Sequence, residues 1–250
     1  RAWVNVPNLP ELNLENKELQ EILFSSENSI VKNYIRIVDG WRLDVAFEIG
    51  QEFLTAITES AHSVKPQSLV TGEIWSYPDG WIKNRSNSKN VLDGVMNYYL
   101  RQIILDTVNG NIKPSQATRF IDKMILDSGI ESILKCWNIL SSHDTPRIKN
   151  LIPDPELRKI ALILQFTLPG APVIYYGEEL GMSGKDDPCN RGPMEWNLVN
   201  EENEYLKFYK KLIDLKKKNI SLQYGDFLAL DTSETLAFCR QTNNLEDLIV

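Results

Sequence analysis

Three short strings hold residues whose types and spacing suit chemistry: Gly40-Trp41-Arg42-Leu43-Asp44-Val45-Ala46, Thr71-Gly72-Glu73-Ile74-Trp75 and Ser141-Ser142-His143-Asp144-Thr145-Pro146-Arg147. In an extended strand, alternation puts Arg42 and Asp44 on one face and Trp41, Leu43 and Val45 on the other. A guanidinium within reach of a carboxylate favours its charged form, the state a nucleophile needs. A purely structural Arg42–Asp44 ion pair explains the same pattern. Glu73 follows the apolar pair Leu69-Val70, so it emerges where a strand ends, with Trp75 close behind. Near other carboxylates and partly desolvated, a glutamic acid keeps the proton that a leaving group needs. Asp44 and Glu73 together therefore suit a reaction that uses one ionised and one protonated carboxyl group. Trp75 offers a flat face for stacking, although simple packing explains a tryptophan after a strand equally well.

Such residues need regular elements to position them. From about Leu14 to about Tyr205 an amphipathic helix and a short apolar strand alternate, an α/β rhythm. The pattern predicts helices over 16–34, 51–64, 114–127, 155–167 and 201–218, with Asp154-Pro155 as a start signal for the fourth. It predicts strands over 40–45, 68–74, 92–97, 137–141 and 171–176. Polar residues cluster at the strand ends: Asp44 and Glu48, Glu73, Asn97, His143 and Asp144, then Glu178 and Glu179. A (β/α)8 barrel keeps its reactive side chains there, whereas an open doubly wound sheet favours a glycine-rich first turn, and neither GxGxxG nor GxxxxGK[ST] occurs. Five strands are the C-terminal portion of such a barrel, so its first three are expected before Arg1. After Asn219 the pattern turns strand-like over 223–230, 235–240 and 247–250, broken at Asp231-Thr232-Ser233 and Asn243-Asn244. We therefore expect the barrel portion over 1–220 and the start of an all-β domain over 221–250.

Composition excludes other classes. The 250 residues carry 34 acidic and 27 basic side chains, net −7, with no basic block longer than Lys216-Lys217-Lys218, so nucleic acid is not an expected partner. No apolar run approaches the roughly 20 residues that cross a bilayer, so no membrane is expected either. Cys136, Cys189 and Cys239 are odd in number and never form a CxxC pair, which suits a reducing, cytoplasmic location. Arg1 is not a start methionine, so a missing leader peptide says little. The sequons at 84–86 and 219–221 are read as chance. His62 sits in a helix pattern and reads as a surface residue. No second His or Cys stands at ligand spacing from His143 and Asp144, so no metal or other cofactor is expected. The Lys185-Asp186-Asp187-Pro188 loop has the charge for calcium, but a solvated loop is the simpler account. A Ser/His/Asp hydrolase lacks its GxSxG elbow.

The three strings, in this order and each at a strand's end, resemble the α-amylase superfamily of glycoside hydrolases. By that resemblance Asp44 is the nucleophile, Glu73 the general acid and Asp144 a third, transition-state-stabilising acid. Arg42 and His143 match the family's contacts to the nucleophile and sugar, and Trp75 would stack on a sugar ring. The segments Leu9-Pro10-Glu11-Leu12-Asn13, VLDGVMNYYL, PGAPVIYYGEELGM and RGPMEW look most like the neopullulanase, cyclomaltodextrinase and maltogenic amylase branch. Glu48 suits that branch, whereas Phe47 stands where Asn is commoner, which leaves the linkage preference open. The resemblance implies a retaining hydrolase of α-1,4 or α-1,6 linked glucans, maltooligosaccharides or cyclodextrins. An α-1,6-glucosidase, a glucosyl-transferring isomerase and an inactive, sugar-binding scaffold are the alternatives. Because five strands leave an open edge, the chain is expected to work slowly unless it forms a homodimer or joins the rest of its barrel.

Overall fold

The computed structural model describes residues 2–3, 6–82, 90–232, 234–242 and 247–249. The chain divides into two compact units, Arg1–Glu73 with Lys83–Asp93, and Ile74–Ile82 with Gly94–Val250. The sequon at 84–86 and the Asn243-Asn244 break lie outside the described residues.

The first unit holds strands β1 (Gly40–Leu43) and β2 (Leu69–Ile74, its last residue in the second unit) and helices α1 (Lys17–Gln20), α2 (Ile30–Ile35), α3 (Ala46–Ile49) and α4 (Gln51–Val64). The helix expected over 16–34 is broken: a π-helical turn spans Glu21–Ser25, and Ser29 starts α2 by accepting the Lys32 N–H. In the polar run Ser25-Ser26-Glu27-Asn28-Ser29, side-chain oxygens compete with the helix for backbone donors. Beneath the strands, Phe24, Val31, Ile35, Leu54, Ile57 and Val70 are buried. The two strands are parallel, with Arg42 opposite Thr71 and Leu43 opposite Gly72. A β-carbon on Gly72 would meet Leu92 Cδ1 at 2.5 Å and Ala46 Cβ at 2.9 Å, so only glycine fits before Glu73. His62 is half-buried rather than on the surface. Its Nε2 lies 2.9 Å from Asp93 Oδ2, an oxygen that also accepts the Val70 N–H at 2.8 Å.

In the second unit β3 (Gly94–Asn97), β4 (Trp137–Asn138) and β5 (Ala171–Pro172) are again parallel, with Met96 opposite Trp137 and Trp137 opposite Ala171. Helices α5 (Tyr98–Val108), α6 (Pro114–Ser128), α7 (Ile130–Ile133), α8 (Ile148–Leu151), α9 (Pro155–Thr167), α10 (Glu204–Lys218) and α11 (Ile220–Tyr224) surround them in sequence. Long crossovers of this kind are what parallel strands require, so the expected α/β class holds in both units. Asp154 caps α9 as its sequence predicts, accepting from the N–H groups of Glu156 and Leu157. Strands β4 and β5 are shorter than predicted, and buried amides add hydrogen bonds to the backbone carbonyls around them. Asn138 Nδ2 donates to Pro169 O at 3.1 Å, and Gln165 Nε2 donates to Asn138 O and Val173 O, both at 2.9 Å.

The strand pattern read from residue 223 starts later, since α11 ends at Tyr224. An antiparallel sheet of β6 (Asp226–Ala229), β7 (Phe238–Gln241) and β8 (Asp247–Ile249) follows. Two basic side chains fasten the end of α9: half-buried Lys216 Nζ donates to Phe166 O at 3.2 Å and to Gly170 O just beyond the helix at 2.8 Å, and buried Arg240 donates to Thr167 O at 2.8 Å. Carbonyls at a helix C-terminus lack partners within the helix and attract positive charge.

Arg147 and Glu178 are both buried, with side chains 0% and 3% exposed and 3.6 Å apart. Arg147 lies over the rings of Tyr175 and Tyr176 and donates to Tyr176 O at 2.6 Å. Burial pushes the Glu178 carboxyl up to about 7, against the pull of Arg147. A raised carboxyl pKa stabilises the fold most below its ordinary value and loses that contribution as pH rises through about 7. The expected outcome is that stability falls from pH 5 to pH 8 and that Glu178→Gln flattens the fall by roughly 3 kcal/mol. Equal slopes in urea titrations of the two proteins refute this. Separately, Asn138→Ala should cost about 1–3 kcal/mol by stranding the carbonyls it serves, and an unchanged urea midpoint would show that the amide contributes nothing.

Candidate active site

In the first unit the strand register builds the site. Arg42 faces Thr71 and Leu43 faces Gly72, so one further step brings Asp44 level with Glu73. Asp44 lies in the turn just beyond β1 rather than within it, yet it pairs with Arg42 as strand alternation suggests. The same guanidinium reaches Glu73, with Nη2 3.0 Å from Oε2. Glu73 also accepts the Val45 N–H at 3.0 Å. Its side chain is 6% exposed and that of Asp44 is 73% exposed. Glu73 thus has a cation and a backbone N–H among its partners, and it shares that cation with Asp44. Val45 pays for the tight turn: its φ of 43° is the one positive value among described non-glycine residues, an unfavourable setting for a β-branched side chain. That turn starts α3, which carries exposed Phe47 and Glu48. Asp44 and Glu48 line a groove of about 570 Å³ whose walls include Leu12, Trp41, Leu43 and Val45.

In the second unit His143 and Asp144 sit in the irregular segment after β4. His143 Nε2 is 2.9 Å from Asp144 Oδ2, and Arg191 Nη2 is 3.1 Å from Asp144 Oδ1. The Asp144 N–H donates to Ser142 Oγ at 3.2 Å, and the Ser142 N–H donates to Thr145 Oγ1 at 2.9 Å. Ser142 Oγ is also 3.0 Å from the Tyr98 hydroxyl. Trp75 stacks on Tyr98 with ring centroids 3.7 Å apart and remains 47% exposed, so a protein partner takes one face. Asn97, noted as a polar strand end, caps α5 by accepting the Leu100 N–H at 2.9 Å. Among the described residues no group of three or more His, Cys, Asp or Glu side chains is arranged to hold a metal ion. Asp187 instead pairs with Arg191 at 3.2 Å.

The structure thus brings Arg42, Asp44 and Glu73 together in one unit and His143 with Asp144 in the other. Sequence reasoning missed Asn190 and Arg191 as partners of the His143-Asp144 segment. The only available signal was Arg191 at the head of RGPMEW, quoted for its resemblance alone.

The arrangement is one of acid groups at or beyond the ends of parallel strands. The chain matches the family described as alpha amylase, catalytic domain, over residues 3–204. It is 33% identical over 246 residues to a cyclomaltodextrinase of Thermoanaerobacter pseudethanolicus, which covers 97% of this chain and 42% of that protein. It is 34% identical over 225 residues to neopullulanase 2 of Thermoactinomyces vulgaris, 89% of this chain and 37% of that protein. Among solved structures, the cyclic alpha-maltosyl-(1→6)-maltose hydrolase of Arthrobacter globiformis superposes with a TM-score of 0.86 at 26% identity, over 97% of this chain and 54% of that one. The chain spans less than half the length of these two curated relatives. No helix among the described residues is long and apolar enough to cross a membrane. With the family match running from residue 3 to residue 204, the chain belongs to the alpha-amylase family.

Proposed function

We propose that this chain supplies the catalytic acids of a retaining α-glycoside hydrolase acting on α-1,4-linked glucans, maltooligosaccharides or cyclodextrins. Glu73 protonates the bridging oxygen while Asp44 attacks the anomeric carbon, and the glycosidic bond breaks as the bond to Asp44 forms. Glu73, now ionised, takes a proton from water, whose oxygen displaces Asp44 and releases the sugar with its configuration retained. Asp144 stays charged and hydrogen-bonds the substrate, the role its match to the family string implies. The observation that carries this reading is the Arg42 guanidinium shared by Asp44 and Glu73, which holds two carboxyl groups close together at the ends of neighbouring strands. Close spacing is what separates retaining from inverting pairs, since a nucleophile leaves no room for water between the two groups. Glu48, beside Asp44 in the same groove, and exposed Trp75 are the proposed contacts to neighbouring sugar rings. A cytoplasmic place of action is supported by three free cysteines, of which Cys136 and Cys239 are buried.

Cleavage of α-1,6 linkages is the second reading, favoured by the name of the Arthrobacter globiformis neighbour. A substrate panel separates the two: weak hydrolysis of cyclodextrin and pullulan beside strong cleavage of isomaltose selects the second. For the acids, Asp44→Asn is expected to lower kcat on β-cyclodextrin roughly a thousandfold or more. Glu73→Gln is expected to lower it about a hundredfold or more. Activity within a factor of two of the parent in either variant would remove that residue from the mechanism. The first product should be the α-anomer by proton NMR, and a β-anomer would overturn retention.

A further inference from the structure

Residues 142–147 form neither strand nor helix, so nothing in a regular backbone ladder fixes Asp144. A side chain from a distant turn takes that place. Asn190, in the 3-10 turn Cys189–Arg191, is only 1% exposed. Its Nδ2 donates to His143 O at 2.8 Å and to Thr145 O at 3.0 Å. These two carbonyls belong to the peptide units on either side of the Asp144–Thr145 pair, so one amide group pins the backbone before and after the acid. Asn190 is itself anchored. The Tyr175 hydroxyl donates to Asn190 O at 3.3 Å, and the Arg147 N–H ties the same two loops together by donating to Gly184 O at 2.9 Å. Arg191 adds a bond from Nε to His143 O at 2.9 Å, but its guanidinium is partly exposed and shared with Asp187.

We propose that Asn190 is a positioning residue for Asp144: it touches no substrate, and it sets where the third carboxylate stands by clamping the peptide groups around it. The proposal rests on the reading of Asp144 as the third acid. The physical requirement is for two N–H donors on one rigid planar group, which asparagine has and aspartate lacks. With the donors removed, buried Thr145 loses the amide bond to its carbonyl, His143 O is left with the Arg191 guanidinium, and the segment relaxes toward water. An acid that acts in the transition state tolerates little displacement, so the loss should fall on the chemical step rather than on binding.

The test uses the protein as its source makes it, with β-cyclodextrin and maltotriose as probes. In Asn190→Ala, kcat per folded molecule is expected to fall about tenfold or more while KM stays within about threefold. Asn190→Ser, whose hydroxyl can donate to one of the carbonyls, should recover part of kcat. An unchanged kcat overturns the proposal, and so does a rise in KM alone. Equal losses in both variants that match their unfolded fraction by circular dichroism also overturn it. Hydrogen–deuterium exchange gives a readout independent of turnover: peptides covering 142–147 should exchange faster in Asn190→Ala, and unchanged protection overturns the proposal. If the parent protein cleaves neither probe, the proposed function fails, while exchange still decides the role of Asn190.

Discussion

In the first unit one guanidinium serves two carboxyl groups. A nearly buried carboxyl group such as Glu73 has lost most of its water. Arg42 lies within ion-pair distance of both acids, with Nη1 on Asp44 and Nη2 3.0 Å from Glu73 Oε2, so one planar cation serves the two. A lysine in its place would offer a point charge and no fixed angle between two partners. The arrangement needs β1 and β2 to be parallel, adjacent and in the register that sets Arg42 opposite Thr71. A slip of one residue would send Arg42 or Glu73 to the opposite face and dissolve the contact.

That register has its own supports. Gly72 lets β2 approach Leu92 and Ala46 more closely than any side chain would permit. The Asp93 carboxylate holds the start of β2 through the Val70 N–H and is held in turn by His62. The strained backbone at Val45 directs an N–H onto Glu73, so part of the cost of that conformation returns as a hydrogen bond. The second unit solves the equivalent problem differently. His143 and Asp144 lie beyond the end of a two-residue strand, and side chains replace the ladder that is not there: Ser142 and Thr145 locally, Tyr98 and Asn190 from a distance. Loops that carry reactive groups on a rigid scaffold are commonly fastened in this way, since their backbone polar groups must be paired somewhere.

The second unit also buries charge away from its strand-end acid. Arg147 is enclosed by two tyrosine rings and a raised carboxyl, while Arg240 and Lys216 answer the carbonyls at the end of α9. These groups hold the loops after β4 and β5 and the sheet after α11 to the same helical scaffold, and none of them takes part in the proposed reaction.

The sequence by itself determined the class of fold and the family, and it marked where acids stand at strand ends. Asp44, Glu73 and Asp144 are each marked by an apolar strand followed by a polar end, a local pattern that period and residue type make legible. The α/β alternation and the Asp154 cap are local for the same reason. What only the tertiary structure decided are matters of partnership. That Arg42 serves Glu73 as well as Asp44 depends on how two strands align, and no period in either strand encodes it. That His62 is held by Asp93, that the predicted helix over 16–34 breaks at its serines, and that Asn190 reaches across to His143 and Thr145 depend on competition among donors and acceptors far apart in the chain. Hydrogen bonds of that kind are chosen by the folded arrangement as a whole, because a buried polar group takes whatever partner the packing leaves within reach.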